Sequence, residues 1–117
     1  MNRARIIPML LLSNGGLVKT VRFSKPQYIG DPINAVRIFN DKEVDELVLL
    51  DIDATAEGRE PHFAEVEQVL SEAFMPVGYG GGITSLPQME RLFKLGVEKV
   101  VTPVLVALGM LLLLFLE

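Results

Sequence analysis

Three adjacent glycines, Gly80, Gly81 and Gly82, close the short apolar run Met75-Pro76-Val77-Gly78-Tyr79. Ser85-Leu86-Pro87-Gln88 follows with the N-cap, early proline and capping-box glutamine of a helix start. Residues without Cβ let backbone N–H groups approach a ligand closely, and a helix N-terminus behind them adds partial positive charge, so the chemistry on offer is phosphate binding. A tight strand-to-helix turn requiring positive φ explains the same glycines with nothing bound, and their spacing matches neither the P-loop nor the dinucleotide pattern. Asp51 and Asp53, two apart at the end of an apolar strand, point to the same side of it; such a pair could bind a metal, act as acid and base, or cap a turn. Lys19, Arg22 and Lys25 stand with Phe23 and Tyr28 in an irregular stretch and suit an anionic partner, although solvated surface charge accounts for each taken singly. His62, the only histidine, reads as a helix-surface residue. The absence of cysteine leaves no disulfide framework and no thiolate metal site, and neither a metal nor a cofactor is expected.

The elements that must position these residues follow from hydrophobic patterning. Ile6 to Leu12 is a continuous apolar run of strand length, closed by the turn residues Ser13-Asn14-Gly15-Gly16. Leu17 to Gly30 reads as a long loop of the kind that is functional or mobile. Asp31-Pro32 supplies an N-cap and an N1 proline, and Ala35, Ile38 and Phe39 form a helical stripe reaching about residue 43. Glu46 to Asp53 is a second strand, apolar on both faces as parallel sheets covered by helices require. Pro61 opens a second helix with Phe63, Val66, Val69, Leu70 and Ala73 on one stripe. A third strand runs into the glycines, and a third helix carries Leu86, Met89, Leu92 and Phe93 inward and stops at Gly96. Glu98-Lys99 then leads into a fourth strand at Val100-Val101. The order βαβαβαβ predicts an α/β fold with a parallel sheet and right-handed crossovers.

At 117 residues the chain is one domain at most, half of the roughly 250 residues that a closed (β/α)8 barrel takes. Its net charge of −4 argues against non-specific nucleic-acid binding and for a small-molecule partner. The N-terminus is not a convincing signal peptide. Val100 to Leu116 is a run of 17 uncharged residues, bordering on the roughly 20 of a membrane span. A membrane segment, a helix buried all round in an oligomer, and an end altered by truncation, frameshift or design compete for it. Pro103 and Gly109 interrupt the run, so the expectation is a buried oligomeric helix at an altered end, and Leu116-Glu117 also suits a cloning scar. Residues 1–101 and an apolar tail, 102–117, are the expected organisation.

Taken together, Arg5 to Lys19, Glu46 to Ala54 and Gly78 to Val100 resemble the cyclase subunit of imidazole glycerol phosphate synthase, HisF. Asn14-Gly15-Gly16-Leu17-Val18-Lys19-Thr20 and Gly30-Asp31-Pro32-Ile33-Asn34-Ala35-Val36 are closer in wording to its paralogues associated with amidation of surface sugars. The resemblance implies the amino-terminal half of a (β/α)8 barrel with its site at the C-terminal face of the strands. It also implies a cytoplasmic, ammonia-dependent cyclase or lyase that is fed by a glutaminase partner and acts on a ribulosyl phosphate. It maps the phosphate turn onto Gly80, Gly81 and Gly82, the mobile-loop lysine onto Lys19, and an active-site carboxylate onto Asp51. Arg5, Glu46 and Lys99 match three members of the charged ring at the ammonia entrance; a salt-bridge ring serving stability is compatible with that role.

The departures are as informative. Where histidine-pathway members carry a catalytic Asp at the end of strand 1, this chain has Leu11, whose side chain cannot transfer a proton. Pro103 and Val104 replace polar residues at the end of strand 4 and weaken the phosphate half-site. A half barrel has open sheet edges and an uncovered face, so a homo-oligomer, inactive alone, is expected. A purely structural self-associating scaffold is the alternative.

Overall fold

A computed structural model describes residues 4–14, 16–21, 24–54, 57–105 and 111–116, with the backbone alone for 19–21, 24–29, 102–105 and 111–116. The described elements run β1 (Met9–Ser13), β2 (Gly16–Val21), β3 (Ser24–Gly30), α1 (Pro32–Asp41), β4 (Leu47–Asp51), α2 (Phe63–Glu72), β5 (Val77–Gly80), α3 (Leu86–Leu95), β6 (Lys99–Leu105) and β7 (Leu111–Leu116). One sheet holds the described strands in the order β3-β2-β1-β4-β5-β6-β7. Its centre, β1, β4, β5 and β6, is parallel, with a helix in each of the connections leading into β4, β5 and β6. That is the arrangement of half a (β/α)8 barrel.

Two expectations are corrected at the flanks. Leu17 to Gly30 is not a loop but the hairpin β2-β3, which adds antiparallel to the edge of β1. Register shifts between Leu17 and Val18 and between Lys19 and Val21 break the alternation of period two that would have marked it, and Pro26 is tolerated because β3 is an edge strand. The tail is not helical where it is described: Leu111–Leu116 is a strand, antiparallel to β6 and registered from Val100↔Leu116 to Leu105↔Leu111. A short run of leucines has no period to separate strand from helix, and the hydrogen-bonding edge of β6 decides the outcome. Residues 106–110, with Gly109, lie outside the described residues.

Alternation along the parallel strands gives the sheet two faces. On one, Leu12, Leu47, Leu49, Val77, Tyr79 and Val100 pack with Val36, Val66, Val69 and Leu92 of the helices into the hydrophobic core. The other carries cross-strand rows, Met9–Val48–Gly78–Lys99 and Leu11–Leu50–Gly80–Val101, set by the register. Glycine at 78 and 80 keeps these rows close: a Cβ at Gly80 would lie 2.8 Å from the Val101 carbonyl and 2.9 Å from Leu50 Cδ2.

Local chemistry sets the helix boundaries. Asp31 Oδ1 accepts from the Ile33 N–H at 2.7 Å and Pro32 follows it, starting α1. At α3, Ser85 Oγ accepts from Gln88 N, Gln88 Oε1 accepts from Thr84 N at 2.7 Å, and Gly96 ends the helix at φ 115°. The N-cap of α2 is His62, whose side chain makes no capping bond.

Candidate functional site at the C-terminal rim

The C-terminal ends of β1, β4 and β5 are neighbours, so Ser13, Asp51, Asp53 and the three glycines share one rim. Gly81 and Gly82 take φ of 126° and 71°, which side-chain-bearing residues rarely adopt. Both are also walled in: a Cβ on Gly81 would sit 2.6 Å from the Asp51 carbonyl, and one on Gly82 would run into the Arg59 carbonyl and Ala54 Cβ. The glycines thus serve a tight βα turn. Beside it lies a cavity of about 380 Å³ at the N-terminus of α3, lined by Ala54, Arg59, Glu60, Gly82, Thr84 and Gln88, in which one arginine stands against one carboxylate. A roomier concavity of about 710 Å³ lies between α1 and α2, but Asp31, Glu65 and Glu67 line it and would repel an anion. Burial there pushes the Glu65 carboxyl up.

The two rim aspartates part company. Asp51 stands on the helix side with Leu47 and Leu49 and is almost fully buried. Its Oδ1 accepts from the N–H groups of Asp53 (3.0 Å) and Ala54 (3.1 Å), and its two oxygens take a forked pair from Arg59 at 3.1 and 3.2 Å. Arg59 also donates to Glu57 Oε2 at 2.5 Å, and the Asp51 bond above all holds its guanidinium above its ordinary pKa. Asp53 lies beyond the end of β4, where the chain bends, and accepts from the Ser13 hydroxyl of β1. The carboxylates two residues apart therefore have different partners. Arg59 and Ser13 escaped the sequence reading: Ser13 meets Asp53 from 40 residues away, and Arg59 meets Asp51 through an irregular turn that has no periodic pattern. Tyr79, buried beneath the rim, accepts from the His62 N–H at 3.3 Å, and desolvation pushes its phenol up to about 12.

Lys19 lies in β2 opposite Gln27. Arg22 and Phe23 fall outside the described residues. At the opposite, N-terminal end of the strands the structure brings Arg5, Glu46 and Lys99 together. Glu46 Oε1 accepts from Arg5 Nη2 at 2.7 Å and from Lys99 Nζ at 3.1 Å, and its Oε2 accepts from Lys99 at 2.9 Å. The carboxylate is buried, Lys99 is mostly buried and Arg5 is largely exposed. The Lys99 hydrogen bond, with help from Arg5 and against the cost of burial, holds the Glu46 carboxyl below its usual value.

A parallel βα core with a glycine turn and carboxylates at its C-terminal rim defines a protein of the (β/α)-barrel class. Within that class, the sequence profile of the histidine biosynthesis protein family matches residues 5–106, and the chain belongs to this family. It is 60% identical over 100 residues to a provisionally named imidazole glycerol phosphate synthase subunit hisF2 of Pseudomonas aeruginosa, covering 86% of this chain and 40% of that protein. A provisionally named subunit HisF of Leptospira interrogans is 54% identical over 101 residues, with coverage of 86% and 40%. The imidazole glycerol phosphate synthase subunit HisF of Bacillus cereus (strain AH187) is 44% identical over 96 residues, with coverage of 82% and 38%. The chain spans about 40% of the length of these curated relatives. Among the described residues no helix is long and apolar enough to cross a membrane.

Proposed function

We propose that this chain carries the phosphate-binding rim of an imidazole glycerol phosphate synthase cyclase-type subunit, and that alone it binds a phosphorylated ligand without turning it over. The observation that carries this is the glycine turn: three residues without Cβ at the end of β5, the last of which, Gly82, lines a cavity with Arg59, Thr84 and Gln88 at the start of a capped helix. Gly80, Gly81 and Gly82 form the cradle, and Lys19 of β2 is the basic residue that the resemblance assigns to the ligand. Asp51 works by holding Arg59 and the turn rather than by moving a proton, because its oxygens are engaged. Arg5, Glu46 and Lys99 form part of an ammonia entrance facing a glutaminase partner. Residues 1–101 make up the working unit, 102–117 are an apolar tail whose strand Leu111–Leu116 extends the sheet toward a second copy of the chain, and the protein is cytoplasmic.

Thermal melting tests the cradle. A ligand that binds only the folded state raises the melting temperature with concentration. Inorganic phosphate and ribulose 5-phosphate are expected to do so, and Thr84→Val to reduce the shift. No shift with either would overturn the reading. It would favour the scaffold alternative, which has its own support in Ile38, Leu86 and Phe93 on the two outer helices, where Leu86 and Phe93, expected to face inward, are instead exposed.

A further inference from the structure

The resemblance assigns the end of β1 an acidic residue, and this chain has Leu11 there. Leu10 and Leu12 face the core, so Leu11 and Ser13 face the opposite side of the sheet, where the rows of Val48, Gly78 and Lys99 and of Leu50, Gly80 and Val101 lie. Ser13 is 8% exposed, and its hydroxyl donates to Asp53 Oδ2. A carboxylate is thereby brought to the end of β1 from the bend that follows the neighbouring strand β4, beside a residue two places beyond Leu11. One oxygen of Asp53 is fixed by Ser13, and the other carries no hydrogen bond among the described residues. Asp51 is the reverse, with both oxygens occupied.

We propose that Asp53, clasped by Ser13, is the ligand-binding carboxylate of this rim, accepting hydrogen bonds from the hydroxyl groups of a phosphorylated polyol. Ser13 is its positioning residue. The assignment rests on the phosphate reading of the glycine turn. Adjacent strands lie about 4.8 Å apart, so Asp53, between β1 and β4, stands roughly 5–10 Å from the turn at the end of β5. A short polyol chain with a terminal phosphate bridges that gap. A carboxylate repels phosphate and attracts hydroxyl donors, so Asp53 contributes to selectivity for the polyol and nothing to the grip on the phosphate.

Calorimetric titration of the full chain with ribulose 5-phosphate and with inorganic phosphate separates the two. Asp53→Asn is expected to lower the ratio of sugar-phosphate to phosphate affinity by about tenfold or more, the size of a hydrogen bond to a charged group. Phosphate affinity itself should stay level or tighten as the negative charge goes. Ser13→Ala, which frees the carboxylate to turn, should move the ratio the same way by less. If Asp53→Asn fails to melt cooperatively, Ser13→Ala decides on the same ratio. An unchanged ratio, or equal weakening of both ligands, overturns the role of Asp53 while leaving the phosphate cradle standing. Failure of the unmodified chain to bind either ligand overturns the cradle, and this assignment with it.

Discussion

At the scale of single residues, the rim is a place where backbone runs against backbone. Gly81 combines a φ of 126° with a Cβ position 2.6 Å from the Asp51 carbonyl, so Gly81→Ala must both strain and displace its neighbours. A cost of about 2 kcal/mol or more in urea denaturation is expected, and loss of ligand binding in that variant would then report folding as much as contact. Thr84→Val and Asp53→Asn are cleaner probes for that reason. At the other end of the strands, Glu46 supplies a pH dependence with a definite direction. Its folded-state pKa lies below the ordinary 4.5, so the unfolded chain binds the proton more tightly. The stabilisation is complete above about 4.5 and is lost as pH falls through the lower, folded value. Urea midpoints measured from pH 6 downward should fall in that window, and Glu46→Gln should flatten the decline. Lys99→Met should cost more than Arg5→Met, about 1–3 kcal/mol, because Lys99 is 19% exposed against 55% for Arg5 and binds both carboxylate oxygens.

At the scale of elements, the three described helices, of equal length, start in different ways. Asp31 and Ser85 cap α1 and α3, whereas His62 gives α2 no side-chain bond. His62→Ser should therefore stabilise the protein by about 0.5–1 kcal/mol in chemical denaturation, an outcome that no surface-neutral histidine would give. The flanking strands follow a different logic: β2 and β7 form because the outer edges of β1 and β6 present unpaired backbone groups. An edge strand directs only every second N–H toward its neighbour. Hydrogen exchange across Leu111–Leu116 should show alternating protection, whereas a helix would protect consecutive amides.

At the scale of the molecule, the described sheet ends in two edges, β3 and β7, and its outer helices expose Ile38, Leu86 and Phe93. In a closed barrel, neighbouring βα units would cover such surfaces. In this chain a second copy is the simplest cover, and light scattering after size exclusion at micromolar concentration should give a dimer or larger. A stable monomer would show that the hairpins at the two ends of the sheet suffice to protect it.

The sequence by itself determined the parallel centre of the fold. Its strands read as apolar runs, its helices show a stripe of period 3.6, and Asp31-Pro32, Ser85 and Gly96 mark their ends. It also placed the glycine turn, since φ beyond the reach of other residues selects glycine directly. Arg5, Glu46 and Lys99 could be assigned to one end because Arg5 and Glu46 come before the apolar runs of β1 and β4 and Lys99 comes at the start of β6 in a parallel sheet. Only the tertiary structure decided the rest. Whether Leu17–Gly30 and the leucine-rich tail became strands depended on the hydrogen-bonding edges of β1 and β6, which no local window contains. Whether Asp51 or Asp53 kept an open oxygen depended on Arg59 and Ser13, brought to them by the turn after β4 and by the pairing of β1 with β4. Periodicity and capping are written in neighbouring residues, whereas edge pairing and side-chain partnership arise only when distant segments meet.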